Sequence, residues 1–538
     1  MLGLQKLKNL VRDGLAILKR DKSLIEGTVY ASANRRVVGR LVYTHHFPCQ
    51  GLQEPKSDDD FGVSVQGYFR GGPSSRFQRD SGRRAPRVGF GHIANDVSLD
   101  AVKRALERAK ANAIYDPDFH GFPRPEEHRG EARPAQAGRQ TYRAYADPRL
   151  LSLTPEKEAT LLADISWNTL EGAFHVFRRY HQRTKTAFAD PDFIVSGDNF
   201  LMTERAALAS TTGVQFHDES TITMSLISAM VERAHSKGRG WGAESGLAGF
   251  DPGRAGEEAA SAAVRGIGGT HLPTGNYSVI LGPQAATEIF ANLLLSSFSA
   301  GTLDFRLSIF NGRFGGAVAS PLLDLYDDAT HVRGAGSKTF TDDGYRTKRI
   351  PLIERGRFVG FLRNDYYGKK FAAQSDDVLK EKIGEGARAY LAGDASHSGF
   401  RFGGGGGRVA SHEPGISATN LFVSTAEPVS RNELLRRVKN GVYIGALWYT
   451  YPIAGYKAGE ISGTAVADTF RIRNGKIAEP IRVNSLRIHA NLRDIVKNII
   501  GITGEPRPTI LWASDEITYA PEVGIADVHL EAIRHDEA

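Results

Sequence analysis

Residues 275–298 read GNYSVILGPQAATEIFANLLLSSF. The apolar run Val279-Ile280-Leu281 after Ser278 predicts a buried strand. Gly282 and Pro283 make a corner, with proline suited to the first position of a helix. Ala286, Ile289, Phe290, Leu293 and Leu294 then recur at the spacing of one helical face. A strand, a tight corner and a helix often present catalytic groups at the mouth of a domain. This helix has no histidine, no cysteine and a single early glutamate, Glu288. Its apolar spacing is that of an ordinary core helix and demands no distortion.

The 538 residues suffice for two or three domains with cores of their own. Apolar content of 41% and charged content of 24% are ordinary for a globular chain. One cysteine, Cys49, excludes an intramolecular disulfide and a Cys-rich zinc module. That fits a reducing compartment, and a cytoplasmic location is expected. A net charge of +7 spread over this length is no nucleic-acid signature. The residues near the N-terminus are helical and amphipathic, with interspersed lysines and arginines. They are expected to pack on their own domain, and no transmembrane run occurs.

Strand and helix signals mix in residues 1–268, which are expected to form an N-terminal α+β domain, a sandwich-like arrangement with a mostly antiparallel sheet. FGVSVQGYFR (61–70) and RVGFGHIAND (87–96) read as hairpin partners flanking a basic loop at 70–87. A helix capped by Ser98 follows. Residues 115–147 are rich in Pro, Arg and Glu without periodicity and read as a linker. A long helix opens at Thr154 with Pro155 at its first position. A strand meander follows, with turns expected at Ser196-Gly197-Asp198 and Thr212-Gly213. The Gly- and Ala-rich residues 236–269 read as a crossing to a new domain. Residues 272–535 are expected to form a β-rich domain with few helices, beyond the opening stretch only at 430–441 and 492–501. It has a tight hairpin at Asn474-Gly475 and a capping box at Ser430 and Glu433.

No HExxH or HExxxH occurs. His175 and His181 fall on opposite faces of one helix. His217-Asp218 and His412-Glu413 read as turn or surface features. No GxSxG occurs either. His45, His46 and Cys49 lie close in sequence, which permits a thiol–imidazole pair, but an unreactive cysteine beside a proline turn is the simpler reading. The five glycines 403–407 lack the Lys-Ser/Thr ending and following helix of a P-loop. They read as a mobile loop able to border a groove.

Several blocks together resemble the TldD/PmbA family, also called TldD/TldE and long named modulators of DNA gyrase. They are VILGPQAA (279–286), DDATHVRGAGSKTFTDDGYRTKRIPLIERGRFVGFLRNDYYGKKF (327–371), ELLRRVKNGVYIGAL (433–447), FRIRNGKIAEPIRVNSLRIHANLRDIVKNI (470–499) and RPTILWASDEITYAPEVGIADVHLEAI (507–533). Blocks at 61–70, 88–111 and 204–216 are similar less sharply. TldD-type members are zinc peptidases whose metal is held by an HExxxH helix and a late cysteine. Laid on this chain, the resemblance puts the first histidine on Ala291, the glutamate on Asn292, the second histidine on Ser296 and the cysteine near Ala513. None can serve as its counterpart does, because catalytic zinc needs three protein ligands and a nearby base.

The chain therefore most resembles the non-catalytic TldE/PmbA-type subunit. The resemblance implies no catalytic residue, metal or cofactor in this chain, zinc in a TldD-type catalytic partner, and an unfolded or leader peptide as substrate of the pair. No nucleic-acid or membrane partner is expected. Alternatives are a homodimeric peptide binder without protease activity and a hydrolase with a relocated site, for example at His45, His46 and Cys49.

Overall fold

The computed structural model describes residues 2–44, 56–71, 86–125, 145–185, 193–393, 397–512 and 514–533. The strands Leu24–Thr44 (β1), Lys56–Phe69 (β2), Arg87–Ala94 (β3), Phe193–Ser210 (β4), Gln215–Val231 (β5) and Ser236–Glu244 (β6) form one antiparallel sheet. Its order is β3-β2-β1-β4-β5-β6. β1 is a single long strand that pairs along both edges.

Period-2 burial decides what each face carries. Val29, Ala31 and Ala33 of β1 lie under helices Leu4–Arg20 (α1) and Leu99–Ala111 (α2). Leu41, further along the same face, lies under Pro155–Thr184 (α3) and Pro252–Arg265 (α4). Tyr30 faces the other way and packs with Phe340 and Ala410. The sheet is thus covered by helices on one side and by later chain on the other. Within α3, His175 is exposed and His181 buried against Phe193, so the helix separates them as its spacing predicts.

Residues 275 onward supply the remaining sheets. Gly275–Leu281 (β7) runs parallel to Gly441–Pro452 and antiparallel to Val523–Ala532. Leu486–Asn491 and Glu460–Arg473 continue the order, and Glu460–Arg473 pairs back onto Gly441–Pro452. The strands so close into a small barrel. A second, six-stranded sheet contains Asp324–Asp328 and Asn420–Ser424. The architecture is mixed α+β, with an antiparallel sheet and helices first and a β-rich region after it. Among the described residues, no helix is long and apolar enough to cross a membrane.

Local expectations hold where turn or cap chemistry is strong. Ser98 Oγ accepts from Ala101 N at 3.1 Å. Arg473 pairs with Lys476 across Asn474-Gly475, both with positive φ. The turn at Thr212-Gly213 joins β4 to β5. Others fail for identifiable reasons. Ser196-Gly197-Asp198 makes no turn; it lies inside β4, paired with residues 226–228 of β5. Thr154 precedes α3 without a side-chain cap bond, its side chain being hydrogen-bonded to the Glu156 carboxylate instead. Ser430 caps Glu433 N at 3.2 Å, but the Glu433 carboxylate pairs with Arg436 and Arg437, so the box is half made. Helices Asp365–Ala373, Asp376–Lys382 and Ala387–Gly393 add to the few expected.

Residues 236–269 are not a crossing segment. They are β6 and α4, packed closely. A β-carbon at Gly238 or Gly240 would lie 2.0 Å from the carbonyl oxygen of Ala259 or Ala255 respectively. Glycine and alanine abound there because strand and helix backbones touch. The basic loop and the linker lie mostly outside the described residues, at 72–85 and 126–144.

Candidate functional site

Gly282 N donates to Ile444 O at 2.8 Å, fixing the corner against the neighbouring strand. A β-carbon there would meet the Tyr443 hydroxyl at 2.7 Å. Pro283 opens the helix Pro283–Thr287 (α5) as expected. Residues Glu288–Leu294 then widen into a π-helix, and Leu295–Phe298 tighten into a 3₁₀ turn. Leu295 N donates to Phe290 O, five residues back. The apolar spacing had demanded no such distortion, so this corrects the sequence reading. The π turn still buries Ile289, Phe290, Leu293 and Leu294 in the core, which is why spacing alone did not reveal it.

The consequence is geometric. On an α-helix, residues five apart lie about 140° apart. A π turn, closed by i→i+5 bonds, draws such residues toward one face, and π-bulges concentrate at functional sites. Ala291 and Ser296 are five apart and span this distortion. Ala291 lies in the π turn and Ser296 in the 3₁₀ turn after it, and neither side chain fits zinc. Ala291 offers a methyl group. Ser296 Oγ is turned back to Leu293 O at 3.0 Å. Asn292 uses its amide N–H to donate to Thr450 Oγ1 at 2.7 Å and to Glu288 Oε2 at 3.3 Å. Among the described residues, no three of His, Cys, Asp or Glu gather in a metal-holding arrangement. Ala513 and the trio His45, His46 and Cys49 lie outside the described residues.

Glu288 is the site's buried carboxylate. Gln284 Nε2 donates to its Oε1 at 3.0 Å, and Asn292 and the Thr450 hydroxyl donate to its Oε2. Burial raises its pKa; the Thr450, Asn292 and Gln284 donors and the charge of Arg239 pull it back down. Gln284 also bridges to strand Gly441–Pro452, accepting from Leu447 N at 2.9 Å and donating to Leu447 O at 3.2 Å. The helix is thereby stapled to the barrel strand by amides and hydroxyls. Beyond Thr450 the same strand exposes Tyr449 and Tyr451, and Trp512 stands exposed beside residue 513. Thr450 was missed in the sequence, which gives no local signal that links it to residues 288–292.

The glycine run is not a loose loop. Gly405 N and Gly407 N donate to the two oxygens of Asp515 at 2.9 and 2.8 Å. Asn34 Nδ2 donates to Gly406 O at 2.9 Å. The run cradles a carboxylate of its own chain where a phosphate cradle had been weighed. Arg401 and Arg408 flank it and are fully buried. Arg408 pairs with Glu204 at 2.7 Å and with Asp218, while Lys338 reaches Glu204 at 3.0 Å. Burial would raise the Glu204 carboxyl, but the charges and hydrogen bonds of Arg408 and Lys338 hold it down to about 2. Asp218, read as part of a turn or surface feature, is therefore an internal anchor of β5. His412 and Glu413 are surface contacts, to Phe402 O and Gln66.

Residues 274–532 match the family model of the PmbA/TldA metallopeptidase C-terminal domain. A metalloprotease of Methanothermobacter thermautotrophicus is 23% identical over 252 residues, 46% of this chain and 46% of that protein. A metalloprotease of Methanocaldococcus jannaschii is 21% identical over 46% of this chain and 47% of its own length. The chain thus spans about half the length of the curated relatives it matches. The crystal structure of TldE from Thermococcus kodakarensis superposes with a TM-score of 0.71, covering 98% of this chain and 100% of that one, at 16% identity. That likeness shows a shared fold. Over residues 274–532 the chain is thus similar to the PmbA/TldA metallopeptidase C-terminal domain, on a fold shared with TldE.

Proposed function

We propose that this chain is the non-catalytic subunit of a heteromeric TldD/TldE-type zinc metalloprotease. It completes a cleft in which a TldD-type partner, carrying the zinc, cleaves unfolded or leader peptides. The observation that carries the reading is the helix at residues 288–298. It keeps a distortion suited to an i,i+5 ligand pair, yet Ala291, Asn292 and Ser296 supply neither metal ligands nor a base. Asn292 has instead become a brace between helix and barrel strand. Loss of the chemistry with retention of the scaffold fits a subunit selected for shape and support. The subunit's own share in peptide recognition would come from exposed strand edges, which offer backbone bonds to an extended chain.

The test is co-expression with a homologue that carries an intact HExxxH and the late cysteine. The two chains co-purify, and zinc is found in proportion to the partner alone. Stoichiometric zinc on this chain purified alone, or persistent self-association that excludes the partner, overturns the assignment.

A further inference from the structure

Glycines 238, 240 and 242 of β6 alternate with Lys237, Arg239 and Trp241. Gly238 and Gly240 lie against α4, so Lys237, Arg239 and Trp241 occupy the opposite face of this edge strand. Arg239 and Trp241 line a cavity of about 1010 Å³. It lies between the edge of β6, α4 and the barrel strands, beside Pro283.

The cavity is strongly charged, but nearly all of its arginines are already answered. Arg254 and Arg507 pair with Glu258, Arg265 with Asp468 and Arg431 with Glu522. Arg239 is the exception. Its guanidinium lies 4.7 Å above the Trp448 ring and makes no hydrogen bond or ion pair among the described residues. Its Nε is buried without a partner, and so is the indole N–H of Trp241. Lys237 likewise has no ion pair among the described residues, and its charge and that of Arg239 oppose each other. Glu288 does not resolve this: its donors are Gln284, Asn292 and Thr450. A guanidinium whose buried Nε has no acceptor and an orphan indole donor on one face of one strand are costly unless an acceptor meets them.

We propose that Arg239 and Trp241 form a receptor for a carboxylate of a peptide bound in this cavity. A guanidinium takes a carboxylate through two parallel N–H bonds, and an indole can only donate. The carboxylates elsewhere on the wall, among them Glu258, Asp468 and Glu522, disfavour a phosphate dianion and leave room for a single negative charge. That the carboxylate belongs to a peptide rests on the function proposed above; the receptor itself rests on the unpaired donors. The site joins β6 to the barrel strands, so an occupant touches both.

The test is binding to the full chain alone, which leaves it independent of any protease partner. The probes are an acid-free decapeptide of Gly, Ala and Ser with a free C-terminus, the same peptide amidated, and the amidated peptide with one central glutamate. The free acid or the glutamate peptide binds at least about tenfold more tightly than the plain amide, and which of the two does so identifies the carboxylate's source. Arg239→Gln removes that difference, and Trp241→Phe reduces it. Arg254→Gln, at an arginine already paired, leaves it intact. Should Arg239→Gln fail to fold, Trp241→Phe decides. Equal affinity for all three peptides, no binding of any, a preference that survives these substitutions, or displacement by equimolar inorganic phosphate overturns the proposal.

Discussion

Asn292 donates to Thr450 Oγ1 at 2.7 Å, and Thr450 in turn donates to the Glu288 carboxylate. This short chain of bonds fills the space beside the distorted helix with structural polar contacts. It ties the π turn to the barrel strand and uses the amide at the position where the family resemblance implies a general base.

Thr450→Val breaks both bonds at once and leaves the Glu288 and Asn292 side chains each one partner short. The substitution is nearly isosteric, so the loss is of hydrogen bonding and not of packing. Denaturant unfolding should show a loss of about 1–3 kcal/mol, with zinc content unchanged from that of the parent chain.

Because the π turn survives, the missing ligands can be written back. The variant Ala291→His, Asn292→Glu, Ser296→His should bind zinc or cobalt detectably after dialysis, since residue 291 lies in the widened turn and residue 296 in the turn after it. Ala291 is buried, so the variant should also lose stability. The same three substitutions with no gain in metal binding would mean that the turn does not hold its i,i+5 geometry in solution.

The interior ion cluster gives the largest stability effect. Arg408 is fully buried and answers Glu204 and Asp218 on β4 and β5. Arg408→Met takes the arginine from three buried carboxylates, Glu204, Asp218 and Asp342, and should cost about 3–5 kcal/mol. Adding Glu204→Gln and Asp218→Asn to the same chain should restore part of that loss, which a simple cavity effect would not allow.

Asp343 governs a pH dependence. Burial, with the negative charge of Asp365 beside it, pushes its carboxyl from 3.8 up to about 7. The folded chain therefore retains a proton that the unfolded chain releases. Its contribution is fully present below about pH 4 and falls as pH rises toward about 7. Asp343→Asn should flatten this part of the profile, read as urea midpoints at pH 4.5 and 7.5. Glu204 acts in the opposite sense, its contribution being lost as pH falls from 4.5 toward about 2.

What the sequence revealed depended on whether the signal was local. The Asn474-Gly475 hairpin and the Ser98 cap are decided by a few adjacent residues, and both form. The strand, corner and first helical turn at residues 278–287 were legible for the same reason. The π turn was not, because Ile289, Phe290, Leu293 and Leu294 suit the core in either helix type. The Gly- and Ala-rich run at 236–269 misled because close backbone packing and a flexible crossing share one composition. Asp218 and Arg408 are 190 residues apart, so their pairing had no local signature. Arg239 and Trp241 became visible only when the glycines between them were seen against α4.

The central claim is that this chain supports a peptide cleft without supplying its chemistry. Cleavage of an unfolded peptide tests it most directly, using this chain alone, a TldD-type partner with intact HExxxH alone, and both together. This chain alone should give no cleavage, and the pair should cleave faster than the partner alone. Metal-dependent cleavage by this chain alone, or a partner rate unaffected by its addition, would contradict the claim.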